Sequence, residues 1–93
     1  FFPNHPEILR CLGWSMYNQN RKSQGIAVLE RSRNLAPTDT NILCDLGVCH
    51  MSSANFSEAE AAFLEVVRID PKSEQAQESL EFLRILNEER SKL

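Results

Sequence analysis

The residues best able to do chemistry are three cysteines, Cys11, Cys44 and Cys49, and two histidines, His5 and His50. Only Cys44, Cys49 and His50 lie close together in the chain. On a helix, residues five apart are rotated by roughly 140°, so Cys44 and Cys49 do not converge on one metal ion. The plainer reading takes Cys49 as a small buried residue, Cys11 as semi-buried packing and His50 as a core or boundary histidine. His5 falls in a linker and carries no signal. The sequence holds no glycine-rich phosphate loop, no GxSxG, no HExxH and no paired CxxC, the patterns that position nucleophiles, metals and nucleotides. It therefore reads as non-catalytic, with no cofactor and no metal. An odd cysteine count at irregular spacing is no disulfide framework, which favours a reducing, cytoplasmic setting.

The elements that carry these residues belong to a single small domain, because 93 residues support one hydrophobic core rather than two. With 42% hydrophobic and 25% charged residues the composition is globular, neither disordered nor fibrous. No uncharged apolar run approaches a membrane span, and no signal peptide is visible. Residues 1–39 carry five basic and three acidic side chains, and residues 40–93 five basic and ten acidic. Neither part holds a dense basic stripe, so a nucleic-acid partner is not expected.

A repeat organises the chain. Pro3, Pro37 and Pro71 are spaced by 34 residues, and Gly13/Gly47, Ile8/Ile42, Leu9/Leu43, Leu12/Leu46, Ser23/Ser57 and Ala27/Ala61 share that offset. A fixed period of this length marks a stack of small supersecondary units. Residues 7–19 and 41–53 place apolar side chains at helical spacing, as do 22–35 and 56–69. Asn55 with Glu58 reads as an N-cap with its capping partner, and Asp39 and Ser73 read as caps of the following helices. Each proline stops the helix before it. Residues 74–93 read as one more helix with Ala76, Leu80, Leu83 and Leu86 along a packed face. The fold expected is all-α with about five helices.

A 34-residue helix–turn–helix unit with Leu9, Leu12, Gly13, Met16, Gly25, Leu29, Ser32 and Pro37, then Leu43, Leu46, Gly47, His50, Ala59, Phe63, Val66 and Pro71, resembles the tetratricopeptide repeat. The resemblance covers the whole chain: residues 1–5 as the tail of a preceding repeat, 6–39 and 40–73 as two repeats, and 74–93 as a capping helix. Pro3 and Phe1 fall in the register of a further repeat upstream. Gly25 and Leu29 depart from the family's Ala and aromatic residue, and His50 and Val66 are the departures of the second repeat. The resemblance implies a right-handed superhelical stack of antiparallel helix pairs. Within it Gly13 faces Gly25, because a bulky side chain there would push the axes apart.

In this family the first helix of each repeat lines a concave groove. The resemblance places Arg10, Trp14 and Tyr17, then Cys44, Val48 and Met51, then Phe82 and Ile85 on that surface, with Glu7, Asn41, Gln75 and Glu78 at its polar edge. Trp14 and Tyr17 would be aromatic anchors and Met51 the adaptable element. The function implied is a protein–protein interaction module or scaffold binding a partner peptide or helix. Homo-oligomerisation through the same surface or an exposed end is the alternative, as is a regulatory or targeting part of an enzyme whose catalytic domain lies elsewhere. The family's carboxylate clamp is disfavoured, since the matching positions hold Arg10, Trp14, Asp45, Gln75 and Ser79.

Overall fold

The computed structural model describes residues 4–92. It contains five α-helices, α1 (Pro6–Asn18), α2 (Lys22–Leu35), α3 (Thr40–Ser52), α4 (Phe56–Ile69) and α5 (Glu74–Ser91). The expectation for Phe1 and Pro3 lies outside the described residues. Every boundary of α1 and α2 recurs 34 residues later in α3 and α4, and α5 begins in the same register. The period seen in the sequence is thus a period of structure. No helix among the described residues is long and apolar enough to cross a membrane.

Connections of three or four residues force neighbouring helices to turn back on one another. The two short ones bend through a left-handed residue, Asn20 at φ 67° and Ala54 at φ 63°. Asp39 caps α3 by accepting from the Asn41 and Ile42 amides, and Ser73 caps α5 by accepting from Ala76. Asn55 does not cap α4 through its side chain. Its amide instead lies 3.3 Å from His50 Nδ1, so the expected capping pair with Glu58 does not form.

Each helix packs on the next, and α3 also packs on both α1 and α5. Tyr17, Leu29, Ile42, Leu46 and Cys49 form one buried cluster between the two helix pairs. Ala59, Phe63 and Leu86 form a second, which joins α4 to α5. The close crossings fall where small residues were expected. A Cβ on Gly13 would lie 2.8 Å from Leu29 Cγ, and one on Gly47 would lie 2.5 Å from the Phe63 ring.

Leu80 corrects the expected face of α5. It is 53% exposed while Ala76 and Leu86 are buried. Leu46, at the same register in α3, is covered by the helix that follows it, whereas no helix of the described residues follows α5. Cys11 is likewise exposed rather than semi-buried, because α1 has no helix packed on that side among the described residues.

Candidate functional site

The first helices of the units lie side by side, α3 packing on both α1 and α5. At their polar edge, Arg10 Nη1 donates to Asp45 Oδ2 at 3.1 Å. Gln75 Nε2 donates to Asn41 Oδ1 at 2.9 Å. Cys44 Sγ lies 3.6 Å from Ser79 Oγ and 3.9 Å from the Gln75 carbonyl. These pairs link successive helices one repeat apart. Burial raises the Asp45 carboxyl above its ordinary value, against the lowering effect of Arg10.

Beyond that edge lie the apolar residues. Trp14 is 38% exposed. Val48 and Met51 are half-buried on α3, and Phe82 and Ile85 on α5. Phe82 stacks on the buried Phe63 ring with centroids 5.0 Å apart, so it supports the second core cluster as well as the surface. The apolar part of the expected groove surface is therefore largely half-buried, with Trp14 as its exposed element.

Tyr17 is not an exposed anchor. It is buried in the first core cluster, and its hydroxyl donates to the Cys49 carbonyl at 3.1 Å and lies 3.2 Å from Ser53 Oγ. The ring stacks at 6.5 Å from Trp14, with Lys22 Nζ 5.9 Å from its centroid. The physical reason is reach. A phenol at this position spans from α1 to the end of α3, and a buried hydroxyl must find a partner. Tyr17 thus fixes the ring beside which Trp14 sits.

The two thiols of α3 are unreactive in this setting. Burial raises the Cys44 thiol, and burial pushes Cys49 up to about 12. Neither offers a thiolate near neutral pH. Among the described residues no group of three His, Cys, Asp or Glu is arranged to hold a metal ion. His50 is engaged by other residues: its Nε2 lies 3.6 Å from Glu30 Oε1, where a cleft of about 370 Å³ opens between α2 and α4.

The sequence showed Asp45 and Ser79 only as mismatches to a carboxylate clamp, and their pairing with Arg10 and Cys44, like this cleft, was not foreseen. Each follows a layer position, Cys44 or Glu78, by one residue. The cleft comes from two consecutive alanines, Ala61 and Ala62, facing α2.

The fold defines the chain as an all-α helical stack with a structural period of 34 residues. Compared with known protein families and curated proteins, the sequence matches none.

Proposed function

We propose that the chain is a non-catalytic protein–protein interaction module of the tetratricopeptide kind, which receives a partner segment across α1, α3 and α5. The coincidence of all helix boundaries at a 34-residue offset supports the repeat assignment and, with it, a right-handed superhelical stack. Trp14 carries the functional reading. It is a large aromatic side chain left 38% exposed and stacked on the buried Tyr17 ring, while α3 and α5 carry the half-buried Val48, Met51 and Ile85. Rigid aromatic groups of this sort contribute much of the free energy at protein interfaces. The partner contacts are apolar at Trp14, Val48, Met51 and Ile85, and polar at the Arg10–Asp45 edge.

Selection of peptides from a displayed library, followed by binding to wild type and Trp14→Ala, tests this reading. Selected peptides should shift the Trp14 indole resonance and lose about tenfold or more in affinity with the variant, a loss of about 1.4 kcal/mol. Peptides that bind Trp14→Ala as tightly as wild type would sink it.

Self-association is a second reading, favoured by the two ends of the stack. Ile8 is 52% exposed although Ile42, its counterpart one repeat later, is fully buried. Leu80 is 53% exposed on α5, the last helix of the described residues. Sedimentation equilibrium over a range of concentrations decides it, since a monomer up to millimolar concentration removes this reading.

A further inference from the structure

The cleft between α2 and α4 lies on the other side of α3 from the Trp14 layer and does not depend on it. Its floor is apolar, made by the buried Leu43 and Leu46. Its wall on α4 is low because Ala61 and Ala62 stop at Cβ, leaving about 370 Å³ open. That volume takes one long side chain rather than a helix.

The rim is acidic. Glu58 and Glu65 stand on α4, seven residues apart and so on one side of the helix, flanking the two alanines. Glu30 faces them from α2. Against these three carboxylates the lining holds Arg33, whose Nη2 is committed to Glu30 at 2.7 Å, and His50, whose Nε2 also meets Glu30. Glu65 pairs with Arg68 on the exposed outside of α4, and surface pairs of this type hold their partners weakly. Arg33, His50 and Arg68 all engage Glu30 or Glu65, which leaves Glu58 as the rim carboxylate with no ion partner among the described residues.

We infer that this cleft docks an arginine side chain presented by a partner protein. An aliphatic stem would lie on Leu43, Leu46, Ala61 and Ala62, with the guanidinium between Glu58 and Glu65. An apolar floor beneath carboxylates at the rim suits a long side chain that lays its stem along the floor and lifts its head to the rim. The guanidinium is the better head, being less strongly hydrated than an ammonium and able to fork two hydrogen bonds to a carboxylate.

The test is a titration of the ¹⁵N-labelled chain at low salt with two capped pentapeptides, Gly-Leu-Arg-Leu-Gly and the same peptide with citrulline, a neutral isostere, in place of arginine. The arginine peptide should shift the amides of Ala61, Ala62 and His50, and the citrulline peptide should bind about tenfold more weakly, as expected when a charge-assisted pair is lost. The double variant Glu58→Gln/Glu65→Gln should lose the difference between the peptides. Ala61→Leu, at an exposed position that the fold does not need small, should block the cleft while the spectrum elsewhere is unchanged, and Trp14→Ala should bind the arginine peptide as wild type does. Equal affinity of the two peptides, shifts confined to other surfaces, no shift at millimolar peptide, or full binding by the double variant would each overturn the inference.

Discussion

A Cβ placed on Gly25 would lie 2.6 Å from the Gly13 carbonyl oxygen and 2.7 Å from the Tyr17 amide nitrogen. The two glycines therefore set how closely α1 and α2 approach, and the backbone of α1 is what stands in the way. Glycine within a helix costs about 1 kcal/mol against alanine. The close crossing must return more than that, because it brings Tyr17 and Leu29 into one buried cluster.

Gly25→Ala should consequently destabilise the chain despite its gain in helix propensity, by about 1–3 kcal/mol as overpacked sites do. Equilibrium urea unfolding measures it. Gly47→Ala meets the Phe63 ring instead, a side chain that is fully buried, and should also destabilise, though less than a clash with backbone. Unchanged stability of both variants would mean that the helix pairs can spread without loss.

Ala54 holds φ at 63°, a left-handed conformation that costs a residue with a Cβ roughly 1–2 kcal/mol. Asn20, one repeat earlier, sits at φ 67° and belongs to a residue type that tolerates this region. Ala54→Asn should then stabilise the chain by about 0.5–1 kcal/mol, and Ala54→Gly by a smaller amount because of glycine's larger unfolded-state entropy. A rise in thermal midpoint for both, with asparagine ahead, is the expected result.

The helices were legible because their signals repeat: apolar spacing, Asp39 and Ser73 caps, and Pro37 and Pro71 after helix ends all recur at one offset. The layer was legible only in part. Register tells which face Tyr17 starts from, but not that its phenol reaches the Cys49 carbonyl across an interhelix gap. Leu80 shows the converse, since a heptad-like apolar spacing says that a residue can be buried and cannot supply the neighbour that buries it. Asn55 carried a capping pattern whose side chain His50 claims from an adjacent helix. For Tyr17 and Leu80 the deciding neighbour, present or absent, belongs to another helix, and for Asn55 it is His50 five residues back on α3.

The three thiols should react with an aromatic disulfide in the order Cys11, Cys44, Cys49. Cys11 is exposed, Cys44 half-buried against Ser79, and Cys49 fully buried, with its thiol pushed up to about 12. Thiolate fraction and access both set the rate. Stopped-flow traces should resolve one fast thiol in the native chain, and Cys11→Ser should remove that phase. Cys49 should react at the rate of unfolding, so stabilising variants such as Ala54→Asn should slow it and leave Cys11 unaffected.

Asp45 gives the chain a defined pH dependence. Burial raises its carboxyl above the ordinary 3.8 although Arg10 pulls it down, so the folded chain keeps this proton to higher pH than the unfolded chain does. Between 3.8 and the raised value the folded state binds more protons, and stability falls with rising pH over that interval. The contribution is fully present below the unfolded value and lost as pH rises through the folded one. Arg10→Gln removes the opposing charge and should move the Asp45 titration, followed through its carboxyl carbon resonance, further upward. Asp45→Asn should flatten that limb of the stability curve. A downward movement in Arg10→Gln would show that the guanidinium does not hold the Asp45 charge, and that the edge pair is a surface contact of no electrostatic consequence.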